Sequence, residues 1–383
     1  MIRHPSQERP ERMAPRSTSA PSHSAAPLHV VQLLGGGSAG TGAHVRSLSA
    51  GLVARGVRVT VGAAPSAERR YGFTAAGARF VPVPVKTTPP AVGVIGAMCA
   101  DADLVHAHGM RAGLLAALTL RRRAVPLVVT WHTRSTAPGL RSRLRALTEH
   151  CVARSATVVL GTTSDLVDRA RAHGARDARL APVALPAARR REEAEPDKIR
   201  AELGAVDRPL LVTEARLVRS GSLDVLLTAA RAWRRLTPQP VLAVAGDGPE
   251  RAALQRRIDR EALPVRLLGR GTDAATLLRD ADVALLVARW AGRAPLAEEA
   301  LRRGVPLVAT AVGGVPEVVG DAAVLVPYGD PGALGTAVSG LLADAPRRAR
   351  LSDAGRGRAG SWPTEDTTVA QVLAVYDELA LRG

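Results

Sequence analysis

The chain has 383 residues, room for two or three domains, and 46% of them are hydrophobic, which is enough to build cores and excludes a wholly disordered protein. Its 2 cysteines, Cys99 and Cys151, exclude a disulfide scaffold and a cysteine-built zinc site. The formal charge of +17 is almost all arginine, since lysine occurs only at Lys86 and Lys198, and an aromatic content of 2% leaves few stacking platforms. Nucleic acid is therefore not an expected partner.

Residues 1–27 are rich in Ser, Pro, Arg and Ala and read as a disordered tail without the apolar core of a secretory leader. No apolar run reaches the roughly 18 residues of a membrane span, and the expected address is the cytoplasm. From Leu28 onward strands and helices alternate. LHVVQLL (28–34), VRVTVGA (57–63), DADLVHAHG (101–109), PLVVTWH (126–132) and ATVVLGTT (156–163) read as strands. Helical spacing marks 42–56, 110–123 and 164–174 between or after them. A charged, proline-containing stretch, PAARRREEAEPDK (186–198), follows and suits a linker.

The alternation then restarts. Strands are expected at 209–217, 240–248, 265–270, 282–287, 306–310 and 323–327, with helices at 222–236, 273–281, 295–304 and 331–344. Such alternation implies parallel sheets covered on both faces. Two alternating halves joined by a linker make an α/β protein of two lobes with a cleft between them.

Candidate site residues sit at the strand ends, where open α/β sheets gather their ligands. In GGGSAGTG (35–42), Gly35, Gly37 and Gly40 satisfy G-x-G-x-x-G between a strand and a helix, a geometry that lets backbone approach an anion. A dinucleotide site also wants an acidic residue about 20 positions on, and nothing acidic follows until Glu68. The loop is thus either a plain turn or a loop facing a ligand other than NAD. His106 is mid-strand and reads as structural. His132 ends its strand and is the better candidate for a substrate contact. Arg216 stands at a strand end before a helix, a position for clamping a diphosphate, and Gly246 and Gly248 form a tight turn able to approach a nucleobase. Glu298 and Glu299 lie in the first turns of a helix, which Glu298 can simply complement.

Taken in order, these pieces resemble the GT-B glycosyltransferases, specifically the retaining, nucleotide-sugar-dependent enzymes of family 4. The matching segments are Gly40–Val45, LSAGLVARGVRVTV, DLVHAHG, VVTWHT, ARL, AGDGPE, LLGR, ADVALLV, EALRRGVPLVAT, VGGVPEVV and LVPYGDP. The resemblance implies two Rossmann-like, doubly wound lobes. Residues 28–186 would bind the acceptor, 187–202 would link, 203–360 would bind the nucleotide sugar, and a helix in 361–383 would cross back to the first lobe. It further implies that Arg216 contacts the donor diphosphate, that Glu299 binds ribose hydroxyls, that Gly313 and Gly314 lie near the donor, and that His132 lies near the transferred sugar. Gly37, Gly40, Gly246 and Gly248 complete the expected donor-side set. No metal and no cofactor are implied, the nucleotide sugar being a co-substrate.

The chain departs from that pattern at four points: besides the two that follow, Arg293 stands where the family carries a bulky aromatic, and Val287-Ala288 where it carries proline-serine. Gly221 stands where the family carries a lysine after the arginine, and Ala291 stands where it carries the first of two glutamates. Losing one cation from a diphosphate site costs on the order of 3 kcal/mol, about a hundredfold in rate. Arg219 and Arg293 are the candidates to supply the charge, and Glu298 the candidate to replace the glutamate. A second reading is a catalytically impaired GT-B protein that binds a nucleotide or a partner. The acceptor, whether lipid, glycan or small molecule, is not specified. Arginines around leucines at 138–156 and 120–123 also suit peripheral contact with anionic lipid at the inner membrane face.

Overall fold

The computed structural model describes residues 27–36, 39–84, 89–134, 140–184, 198–219, 221–269 and 271–381. The expected tail, apart from residue 27, and most of the expected linker lie outside these residues. The last five linker positions, 198–202, belong to a short helix, Lys198–Leu203.

The first lobe is built on seven strands: β1 His29–Leu34, β2 Arg58–Ala63, β3 Arg79–Pro82, β4 Leu104–His108, β5 Leu127–Trp131, β6 Val158–Gly161 and β7 Ala178–Leu180. All pair in parallel, in the order β3-β2-β1-β4-β5-β6-β7. Every residue of β1, β4 and β5 is buried, as expected of strands covered on both faces. The edge strands β3 and β7 were not anticipated. They are 4 and 3 residues long and mostly half-exposed, so they carry no apolar run.

The second lobe has six strands: β8 Leu210–Glu214, β9 Val241–Ala245, β10 Val265–Gly269, β11 Val283–Leu286, β12 Leu307–Thr310 and β13 Val324–Val326. They too pair in parallel, in the order β10-β9-β8-β11-β12-β13. Strand order reverses between β1 and β4 in the first sheet and between β8 and β11 in the second. At such switch points neighbouring loops leave in opposite directions and open a crevice at the strands' carboxyl ends.

Beyond the Trp362-Pro363 break, the helix Glu365–Ala380 returns to the first lobe. Thr364 caps its start by accepting from the Thr367 amide. Its buried stripe of Val369, Val372, Val375, Tyr376 and Leu379 joins the core formed by β1, β2 and the helix Ala39–Val53. Gly51 lets the two helices approach closely, because a Cβ there would fall into the Val369 side chain. At about 1.5–3 kcal/mol per buried side chain, this stripe ties the end of the chain to its first lobe. Among the described residues no helix is long and apolar enough to cross a membrane.

Candidate functional site

The second lobe's switch point holds a trench of about 1200 Å³ whose walls include Arg134, Arg145, Glu214, Arg216, Arg219 and Arg289. Arg216 follows β8 and Arg289 follows β11, and these strands are adjacent in the sheet. The topology alone thus brings the two guanidinium groups to one rim.

The glycine turn after β9 acts on Arg216 through the backbone. A Cβ at Gly246 would overlap the carbonyl of Ala215, and one at Gly248 would overlap that of Leu217. Gly246 moreover has φ of 125°, a conformation that favours glycine. The Leu217 amide donates to Asp247 O at 3.1 Å, and the Glu250 amide donates to Leu217 O at 3.0 Å. The turn therefore grips the segment that carries Arg216.

Gly221, at the position of the missing lysine, has φ of 75° and caps the helix Ser222–Trp233. A Cβ there would lie 3.1 Å from the Tyr328 hydroxyl and 3.8 Å from Nη2 of Arg289. The Arg289 guanidinium, 5.9 Å from the Tyr328 ring centroid, borders the space beside Gly221. Sequence reasoning missed it, because Arg289 lies 68 positions away and is joined to Gly221 only by the β8–β11 pairing.

The two arginines expected to supply the missing charge are differently placed. Arg219 borders the trench with its side chain 92% exposed, 3.9 Å from Glu250. Arg293 faces inward: its Nε donates to Glu298 Oε1 at 2.6 Å, and its guanidinium lies 5.6 Å from the Trp362 ring centroid. Arg302 covers the same ring at 5.3 Å and donates to Glu298 Oε2 at 3.2 Å. Glu298, 0% exposed, is thus the hub of a buried ion pair. Arg293 thus pairs with the glutamate that sequence reasoning offered as a donor ligand. Glu299 is 9% exposed, and its carboxylate accepts from Arg303 Nε at 2.6 Å, with Arg302 at 3.7 Å.

Gly313 and Gly314 sit where the lobes meet. A Cβ at Gly314 would overlap Thr163 of the first lobe, and the Gly314 amide donates to Ala291 O at 2.9 Å. Hydrogen bonds cross the same junction: Trp290 Nε1 donates to Asp165 Oδ2 at 2.7 Å, and the Ser164 amide donates to Glu317 Oε1 at 3.0 Å.

On the first lobe's side, His132 follows β5 and is half-buried. Its carbonyl would lie 3.3 Å from a Cβ at Gly292, which places it at the interlobe crevice. Behind it stand His108 at the end of β4 and His44 on the helix after β1, both buried. His106, deeper still, bridges the Thr130 hydroxyl and the Tyr376 hydroxyl, each at 2.6 Å; its role is structural, as its mid-strand position suggests. Burial lowers His44 to about 4 and His106 to about 3. Burial, with the neighbouring histidines adding to it, also holds His108 and His132 well below the ordinary imidazole value. All four rings are therefore neutral near pH 7.

Gly40 lies in the first turn of the helix Ala39–Val53, and Gly37 lies outside the described residues. Beside this loop opens an apolar cavity of about 290 Å³, lined in part by Leu33, Gly62, Arg70, Tyr71, Ile95 and Leu115.

Residues 39–186 match the model of the glycosyl transferase 4-like domain, and residues 195–358 match that of the glycosyl transferases group 1. The D-inositol 3-phosphate glycosyltransferase of Salinispora arenicola is 32% identical over 311 residues, which cover 72% of this chain and 68% of the relative. The chain belongs to the family 4 glycosyltransferases. The GDP-mannose-dependent alpha-(1-6)-phosphatidylinositol monomannoside mannosyltransferase of Mycolicibacterium smegmatis is 34% identical over 193 residues, covering 46% of this glycosyltransferase and 50% of the relative. The GT-B fold is shared with solved structures. Anabaena Alr3699/HepE in complex with UDP superposes with a TM-score of 0.75 at 18% identity, over 92% of this chain and 100% of the other. The sucrose-phosphate synthase of Thermosynechococcus elongatus gives 0.73 at 19% identity, over 93% and 100%.

Proposed function

We propose that this glycosyltransferase is a retaining enzyme that holds a nucleotide-diphosphate sugar in the interlobe trench, with Arg216 and Arg289 on the diphosphate. The observation that carries the reading is the placement of Arg289 beside Gly221, which puts a cation next to the position where the family's lysine is missing. Guanidinium groups pair bidentately with phosphate. Donors fixed in advance at a leaving oxygen stabilise the charge that develops there.

In this reading the acceptor hydroxyl attacks from the face of the departing diphosphate, whose oxygen takes the proton, so no separate carboxylate base is required. His132 stands at the crevice on the transferred-sugar side, and the acceptor enters from the first lobe, beside the apolar cavity. Glu299 reaches ribose hydroxyls by exchanging part of its contact with Arg302 and Arg303. The relatives' names guide the choice of substrates to try: GDP-mannose as donor, and an inositol phosphate or a phosphatidylinositol glycolipid as acceptor.

The test is a panel of GDP- and UDP-sugars with purified protein, read by donor hydrolysis and by the anomeric configuration of any product. Donor binding with transfer or slow hydrolysis, and retention at the anomeric carbon, is the expected result. Folded protein that neither binds nor hydrolyses any donor would overturn it. Binding without hydrolysis or transfer would favour the impaired, nucleotide-binding alternative.

A further inference from the structure

The three histidines at the first lobe's switch point form a cluster that glycosyl transfer does not by itself explain. His44, His108 and His132 come from three separate elements, and their ring centroids are 5.5, 5.5 and 5.6 Å apart, close to an equilateral triangle. One ring nitrogen from each lies within 4.8 Å of the others. The tightest pair, Nδ1 of His108 and Nε2 of His132, is separated by 3.4 Å.

That distance is long for an N–H···N hydrogen bond. It does match the edge of a tetrahedral zinc site, where ligand nitrogens about 2.0–2.1 Å from the metal stand about 3.3–3.4 Å from each other. His108 Nε2 is buried without a hydrogen-bond partner, so no protein acceptor holds that ring in place. The ring turns its other nitrogen, Nδ1, toward His132.

We infer that His44, His108 and His132 form a binding site for a divalent transition ion, zinc being the best fit to three imidazoles with an open fourth position. A neutral imidazole nitrogen supplies the lone pair that such an ion takes. His132 reaches the crevice. An ion there competes with whatever enters the crevice at that histidine. No step of the transfer proposed above uses a metal, and on that reading an ion at this site is inhibitory.

The test uses the full chain after chelator treatment and dialysis, titrated with Zn²⁺ alone and, for a visible signal, with Co²⁺. About one equivalent of Zn²⁺ is expected to bind with a raised melting temperature, as mass action on the folded state requires. Co²⁺ should give the intense visible bands of a tetrahedral nitrogen site. His44→Gln and His108→Gln should each weaken Zn²⁺ binding at least tenfold and abolish the Co²⁺ bands. His150→Gln, at an exposed position away from the cluster, should change neither.

Unaltered Zn²⁺ binding in both cluster variants would overturn the inference, as would wild-type protein that takes up no Zn²⁺ and gives no Co²⁺ bands. If either variant misfolds, the wild-type Co²⁺ spectrum decides alone, and octahedral bands or none would count against the site. Nucleotide-sugar binding is measured separately in metal-free buffer, so failure here leaves the proposed transferase reading standing.

Discussion

Glu298 separates a structural from a donor-binding role within the altered motif. Its carboxylate is wholly buried and takes 2.6 and 3.2 Å bonds from Arg293 and Arg302. Glu298→Ala leaves the Arg293 guanidinium, whose side chain is 10% exposed, without its counter-ion. A guanidinium cannot shed its proton to escape. Nη2 of Arg293 is already buried without a partner, so the group has little means of finding water. Arg302 is 27% exposed and keeps Glu299 at 3.7 Å, so its share of the loss is small.

Removing one member of a buried pair costs about 3–5 kcal/mol, and the lower half of that range applies here. For a lobe of this size each kcal/mol moves the melting temperature by about 2–4 °C. Glu298→Ala should therefore melt about 6–16 °C below wild type by calorimetry, with nucleotide affinity below the transition unchanged. Replacing the pair together, Glu298→Leu with Arg293→Met, should recover most of the loss, since hydrophobic isosteres replace buried pairs at little cost. A drop under about 2 °C accompanied by a tenfold or greater loss of donor affinity would refute the structural assignment.

Arg289→Ala should lower kcat about a hundredfold, the cost of removing one pre-set donor from a leaving group, and Arg289→Lys should recover part of it in steady-state assays. Gly248→Ala pushes on the Leu217 carbonyl and shifts Arg216. A displacement near 1 Å costs about a hundredfold, visible as lost kcat/KM with little change in melting. Tyr376→Phe removes the hydroxyl on buried His106 and should destabilise by about 1–2 kcal/mol, read from a denaturant midpoint. Leu144 and Leu147 are 60% and 66% exposed among arginines on the helix Leu140–Ser155. If that face meets membrane, Leu144→Ser with Leu147→Ser should abolish co-sedimentation with anionic vesicles and leave soluble-acceptor turnover unchanged.

Much of the architecture was legible because buried parallel strands are continuous apolar runs. β1, β4, β5, β8 and β9 announced themselves in that way, and the glycines after β1 and β9 marked the turns. The edge strands β3 and β7 were not legible, being short and half-exposed, and neither was the helix Arg251–Arg260, which buries only Ile258. The site was partly legible. Arg216 could be placed at a strand end from its neighbours alone. Arg289 could not, because its nearness to Gly221 is a product of strand order rather than of spacing. The pairing of Arg293 with Glu298 was hidden for a different reason: each residue looks like a surface charge in sequence, and only the fold lays Arg293 and Arg302 against Trp362 and buries Glu298 between them and the core. The histidine triangle joins two strand ends and one helix across 88 residues, from His44 to His132, and carries no local spacing signal.

The most direct measurement of the diphosphate grip is calorimetric titration of the wild type, Arg216→Ala, Arg289→Ala and the double variant with GDP and UDP. For whichever nucleotide binds, each single variant should weaken affinity about tenfold or more, and added salt should weaken the wild type more than the double variant. Equal affinity across all four proteins would show that the diphosphate is held elsewhere.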